Sequence, residues 1–206
     1  EIITDKEVGL VGKHEDINDK DQTVSIPKIR TTLTDAVTKN HIGSKGQMVK
    51  LVDKVSYTNL IVGKNYTVSG ELMYKDGKST GIVASKSFTA KERSGFVEVE
   101  FVVDSSKLKS KSLVAFEEMK EDTTLIAVHK DIEDKEQTVH FPEIKTQAID
   151  EKTKTHQISD DGENVTIIDK VSYKGLLVGQ EYEMTGKLMD KATSSPLLVN
   201  GKEVTS

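Results

Sequence analysis

The sequence repeats itself at an interval of about 115 residues. His14-Glu15-Asp16-Ile17-Asn18-Asp19-Lys20-Asp21-Gln22-Thr23-Val24 returns as His129-Lys130-Asp131-Ile132-Glu133-Asp134-Lys135-Glu136-Gln137-Thr138-Val139. Leu51-Val52-Asp53-Lys54-Val55-Ser56-Tyr57 returns as Ile167-Ile168-Asp169-Lys170-Val171-Ser172-Tyr173, and Pro27-Lys28-Ile29-Arg30-Thr31 returns as Pro142-Glu143-Ile144-Lys145-Thr146. A period this long is a domain, not a solenoid unit. The repeat therefore divides the chain into a C-terminal end of one unit (1–28), one complete unit (29–143) and the N-terminal part of a third (144–206). On this reading the chain stops mid-domain at both ends and is a piece of something longer.

Composition narrows the function classes. The net charge of −5 comes from interspersed acids and bases, with no basic patch of the kind that binds nucleic acid. With no cysteine, the chain has neither disulfides nor thiolate metal sites. No apolar run reaches membrane-spanning length, and no signal peptide or wall-sorting motif is present. The acidic loop Asp131 to Glu136 lacks the spacing and glycine of an EF-hand and reads as a solvated hairpin loop. Gly9 to Lys13 has neither the spacing nor the following helix of a phosphate loop, and the sequons at Asn65 and Asn164 are read as chance.

Short stretches rich in Val, Ile, Thr, Tyr and Phe alternate with Gly, Asn, Asp and Lys clusters, and no segment keeps a helical period over ten residues. This predicts an all-β protein of tandem Ig-like β-sandwiches in a linear array. In the complete unit the expected strands are 29–35, 48–57, 65–74, 81–89, 96–103, 112–119, 124–130 and 136–141, with hairpin turns at Lys75-Asp76-Gly77-Lys78 and Ser94-Gly95.

The two-residue period of a strand then assigns faces. Thr31 lies with Ile29 and Leu33; Asp53 lies with Leu51 and Val55. Glu117 lies with Leu113 and Ala115, although Val114, Phe116 and Glu118 form an almost equally apolar alternative. His129 lies with Leu125 and Ala127, and Gln137 with Val139 and Phe141. Five strands thus each aim one polar residue at the core. A buried polar group costs a few kcal/mol unless paired, so a shared cluster of Thr31, Asp53, Glu117, His129 and Gln137 is the economical reading. One histidine with scattered carboxylates is a poor zinc set, and no cofactor is expected. The cluster holds a hydroxyl nucleophile on the first strand and a carboxamide electrophile on the last. In contact, Thr31 Oγ can attack the Gln137 side-chain carbonyl and expel ammonia, with the neighbouring acid, base and neutral carboxyl moving protons. The bland alternatives, an ordinary strand threonine, a hydrogen-bonded glutamine and a satisfied core histidine, stay open on periodicity alone.

The motifs Val114-Ala115-Phe116-Glu117, Asp53-Lys54-Val55-Ser56-Tyr57, Gly70-Glu71-Leu72-Met73 and His129…Gln137-Thr138-Val139 resemble those of the VaFE repeats, or Thr–Gln ester-bond domains, of Gram-positive surface adhesins. The resemblance covers essentially the whole chain. It implies an intramolecular ester between Thr31 and Gln137, with Asp53, Glu117 and His129 assisting. It also implies counterparts at Thr146 and Asp169 in the following unit, and at His14, Gln22 and Glu1 in the preceding one. Glu1 needs a one-residue shift, since it stands 13 residues before His14 whereas Glu117 stands 12 before His129.

The expected function is a structural stalk repeat of a cell-surface, cell-wall-anchored adhesin, with only a single-turnover autocatalytic reaction. Its partners are the neighbouring repeats, with end-to-end complementation between molecules as a further expectation, and neither nucleic acid nor membrane is engaged. Two alternatives are a hydrolase or acyl-transfer enzyme using Thr31 and His129 on an external substrate, and a ligand-binding adhesin module. Scarce aromatic anchors count against the module.

Overall fold

A computed structural model describes residues 1–44, 48–108, 112–158 and 164–206. Two compact units are present, Glu1–Gly175 and Leu176–Ser206.

The larger unit is built around a two-layer sandwich. One layer is the antiparallel sheet of β3 (Lys28–Asp35), β4 (Met48–Thr58) and β7 (Gly95–Asp104), in the order β3-β4-β7. The other contains β5 (Asn65–Tyr74), β6 (Ser79–Thr89), β8 (Ser112–Glu121), β9 (Thr124–His129) and β10 (Thr138–His140), in the order β10-β8-β5-β6 with β9 also on β8. The free side of β8 is shared, because β10 takes Ser112 to Val114 and β9 takes Glu117 to Glu121. Before the sandwich, β1 (Ile2–Asp5) and β2 (Gly9–Lys13) form a hairpin; after it, β11 (Glu143–Asp150) pairs with β12 (Ile167–Lys174).

Alternation along the strands places the core between the layers. Leu33, Leu51, Val55, Val99, Phe101 and Val103 point inward from one sheet, and Val68, Leu72, Leu113, Ala115 and Met119 from the other, all almost fully buried. Tyr57 stacks on Phe88 with centroids 5.2 Å apart, closing one end. The expected turn at Lys75–Lys78 is present, with Gly77 at φ +82° in a conformation that favours glycine.

The strand boundaries differ little from those expected, with one instructive departure. The register of β8 with β9 shifts between Met119 and Lys120, so Leu125 does not share a face with Ala127 and His129 and is half exposed. The extra residue of a bulge reverses the side-chain alternation beyond it, which a strict period of two misses.

Chain entry is tied down. The Asn59 side chain donates to the Ile26 carbonyl (3.1 Å) and Arg93 to Ser25 Oγ (3.2 Å). Only Phe141 and Pro142 separate β10 from β11.

The smaller unit, Leu176–Ser206, holds two short hairpins: β13 (Met189–Asp190) with β14 (Ser195–Pro196), and β15 (Leu198–Val199) with β16 (Lys202–Glu203).

Candidate functional site: a buried threonine–glutamine contact

Four strands and one turn converge on the site. Thr31 sits in the middle of β3, 4 % exposed, and Asp53 in the middle of β4, fully buried. Glu117 lies on β8, fully buried, so the structure selects Glu117 over its neighbour Glu118, whose side chain retains about a third of its exposure. His129 ends β9 directly across the ladder from Glu117.

Gln137 is positioned by its backbone. The carbonyl of Glu136 accepts from Leu33 N on β3 (2.8 Å), and the carbonyl of Gln137 accepts from Ala115 N on β8 (3.0 Å). Residues 136 and 137 thereby clip the start of the last strand to both sheets. The Gln137 side chain is fully buried, and its Nε2 donates to Thr31 Oγ1 (2.5 Å) and Glu117 Oε2 (2.7 Å). The five residues expected from the sequence are therefore brought into one cluster.

Two carboxyls in such a place cannot both be ionised. Neither oxygen of Asp53 has a hydrogen-bond donor, nor does Glu117 Oε1. Burial first, and the facing Asp53 second, push the Glu117 carboxyl up to about 10; burial also raises Asp53. A proton shared by the pair removes the like-charge repulsion and gives the empty acceptors a donor. The pair is an acid at neutral pH.

On the other side of Thr31, its Oγ lies 3.3 Å from His129 Nδ1, and His129 Nε2 lies 3.2 Å from Asp134 Oδ2. Asp134 is the residue at this site that period-two reasoning does not find. It belongs to the loop read above as solvated; Asp131, Glu133, Lys135 and Glu136 are exposed there, whereas the Asp134 side chain is only 23 % exposed. Asp134 Oδ1 accepts from Glu136 N (2.8 Å) and its carbonyl accepts from Thr138 Oγ1 (2.6 Å), so the loop backbone fixes the carboxylate against the histidine. The signal was available in the repeat. In the preceding unit His14 Nε2 meets Asp19 Oδ2 at 3.0 Å, Asp19 Oδ1 accepts from Asp21 N, and its carbonyl accepts from Thr23 Oγ1, the same pattern at the same five-residue spacing.

The counterparts outside residues 29–143 are held more openly. Gln22 Nε2 contacts His14 Nδ1 (2.9 Å), the nitrogen whose equivalent faces Thr31 in the complete unit. The one-residue shift at Glu1 has a structural cause. Glu1 and His14 exchange backbone hydrogen bonds as a ladder pair, as Glu117 and His129 are paired, and both hairpins bulge two residues on. The turn from Asp5 to Gly9 is one residue longer than that from Glu121 to Thr124. Thr146 and Asp169 keep the register of Thr31 and Asp53, opposite Val171 and Ala148 respectively, but both are exposed.

Among the described residues, no group of three or more His, Cys, Asp or Glu side chains is arranged to hold a metal, and no helix is long and apolar enough to cross a membrane.

Fold and site together define a class: an all-β sandwich whose first and last strands meet at a buried Thr–Gln contact flanked by a histidine and a buried carboxyl pair. The family model for the T-Q ester bond containing domain matches residues 3–26, 27–141 and 142–206, and the chain belongs to that family. Similar solved structures include a Mobiluncus mulieris adhesin containing intramolecular disulfide, isopeptide and ester bond cross-links. In one crystal form it is 12% identical with a TM-score of 0.48, covering 72% of this chain and 76% of that one. In another it is 13% identical with a TM-score of 0.48, covering 72% and 75%. A glycosyl hydrolase family 2 member from Bacteroides cellulosilyticus is 11% identical with a TM-score of 0.43, covering 58% of this chain and 15% of that one. No curated protein matches the chain.

Proposed function

We propose that the complete unit cross-links itself through an ester between Thr31 and Gln137, and that it serves as a stalk repeat of a bacterial surface adhesin. The observation that carries this reading is the Gln137 amide, held against Thr31 Oγ1 and Glu117 Oε2 with no room for an outside substrate.

The reaction follows from the contacts. Thr31 Oγ attacks the Gln137 side-chain carbon while His129 Nδ1 takes the hydroxyl proton. The Nε2–H of His129 points at Asp134, which fixes the tautomer that leaves Nδ1 free as a base and favours the imidazolium once it forms. Glu117 already touches the nitrogen that must leave, and the Asp53–Glu117 pair supplies its proton. The C–N bond breaks, ammonia departs and the C–O bond remains. His129 then holds one proton more than before and the acid pair one fewer; a single transfer restores both. Holding the groups in contact contributes roughly 7–11 kcal/mol toward a barrier that an unactivated amide otherwise makes prohibitive.

The hydrolase alternative requires an external substrate to reach Thr31, which is 4 % exposed, with Gln137 fully buried over it. That burial favours the internal reaction.

The stalk role follows from the load path. Gln137 on one unit and Thr146 on the next are nine positions apart, as are Gln22 and Thr31. Tension applied along the chain enters a unit near Thr31 and leaves near Gln137, and the ester carries it past everything between. A cell-surface, extracellular setting suits such a device. Pulling single molecules tests it: the wild-type unit should not lengthen at forces that extend Thr31→Ala, and equal extension of both would defeat the stalk reading.

A further inference from the structure

Gly70 lies in the middle of β5, directly opposite Glu117 on β8 and Ala84 on β6. Its φ is not positive, so a turn does not explain the glycine, and a glycine inside a strand costs stability. What explains it is space. A Cβ at position 70 would stand 2.6 Å from Phe101 Cζ, 3.3 Å from Phe101 Cε1 and 3.5 Å from Glu117 Oε1. The ring of Phe101 occupies the position that any side chain there would fill.

Phe101 comes from the opposite sheet. It sits on β7 paired with Leu51 of β4, on the inward face that also carries Asp53 two residues further along β4. It is 1% exposed and among the largest fully buried side chains. The ring therefore crosses the sandwich from the Asp53 layer and ends against the backbone of Gly70, at the spot from which a Cβ would also stand 3.5 Å from the Glu117 oxygen that lacks a donor. The motif containing this glycine recurs as Gly186-Lys187-Leu188-Met189.

We propose that Phe101, admitted by Gly70, is a positioning residue of the cross-linking reaction: its ring excludes water from the Glu117–Asp53 pair and so keeps the proton that the leaving ammonia requires. This deepens the ester reading and rests on it. An aromatic edge offers no hydrogen bond, so Glu117 Oε1 on that side finds only Asp53 as a partner. Burial is the first cause of the raised Glu117 carboxyl, and Asp53 from β4 the second. The charged or titratable groups facing the pair are each other and His129 from β9; Thr31 and Gln137 complete the surroundings. A shorter side chain at 101 opens a gap with one polar wall, the kind that takes up water.

The test uses the full chain carrying Thr31→Ala, in which no ester forms, so that the Glu117 carboxyl can be titrated by carbon NMR and assigned by its loss in Glu117→Gln. The parent should keep Glu117 protonated well above pH 7. Adding Phe101→Leu should lower the midpoint by about two pH units, within the range that burial produces. Adding Gly70→Ala to Phe101→Leu, which returns a methyl to the gap, should recover part of the shift. Phe101→Met, smaller than phenylalanine but unbranched and able to adapt to the gap, serves as the second variant if Phe101→Leu does not fold, and should lower the midpoint in the same direction. A midpoint within half a unit of the parent in either folded variant would overturn the proposal.

With Thr31 present, Phe101→Leu or Phe101→Met should lose cross-linking at a lower pH than wild type, read by intact mass. An unchanged alkaline limit contradicts the role. If the wild-type chain loses no ammonia at all, the ester reading fails while the titration still decides whether Phe101 governs the acid pair.

Discussion

Thr31 Oγ1 and Gln137 Nε2 are 2.5 Å apart although 106 residues separate them along the chain, and both are buried where the first and last strands of the sandwich meet. The contact is made by backbone placement as much as by the side chains, since Glu136 and Gln137 each bind a different sheet.

An ester at that point closes a loop of 106 residues. By analogy with a disulfide closing a similar loop, the chain-entropy model gives on the order of 4.7 kcal/mol. Thr31→Ala should therefore melt roughly 15–20 °C below wild type for a domain of this size. Differential scanning calorimetry of the two chains makes the comparison, and equal melting temperatures would remove the stabilising role.

Much of this site is legible in the sequence. Thr31, Asp53 and Glu117 are polar residues at inward positions of alternating strands, where burial without pairing is costly, so the pattern itself flags them. Asp134 is not legible that way, because it acts from a turn held by its own backbone hydrogen bonds, and periodicity has nothing to report there. Only the repeated pairing of His14 with Asp19 and His129 with Asp134 betrays it. Leu125 was misassigned because a bulge leaves no mark in the alternation. The part of Gly70 was hidden for a different reason: it depends on Phe101, which approaches from the other sheet.

His129→Ala should slow cross-linking by roughly 10²–10⁴-fold, the ordinary contribution of a positioned general base. Asp134→Asn should slow it in the same direction by a smaller factor, because the amide leaves the imidazole oriented but no longer stabilises its charge. The fraction of chain lighter by one ammonia, followed against time after synthesis, measures both. A wild-type rate in Asp134→Asn would show that the 3.2 Å contact to His129 is only structural.

The acid pair makes the uncross-linked domain sensitive to pH. Glu117 is raised from 4.5 to about 10 on folding, so between those values the folded state binds a proton that the unfolded state has released. Stability must then fall as pH rises, by up to ~1.4 kcal/mol per pH unit for one proton. Thr31→Ala should accordingly be more stable to urea at pH 5 than at pH 8, and Glu117→Gln should flatten that dependence. The opposite slope would mean that the pair is ionised in the folded state.

Under force, a domain without the tie should release the residues between the two strands. At 3.3–3.6 Å per residue, opening 106 residues adds roughly 350–380 Å of contour length. Force spectroscopy of Thr31→Ala should show that step, and wild type should not. A step of that length in wild type would place the load on hydrogen bonds, not on an ester.

The most direct measurement is the intact mass of the folded, purified chain. One ammonia should be missing from the sequence mass, a peptide joining the segments around Thr31 and Gln137 should survive proteolysis, and Thr31→Ala should restore the full mass. A folded wild-type chain at its full sequence mass, with those two segments released separately, would contradict the account.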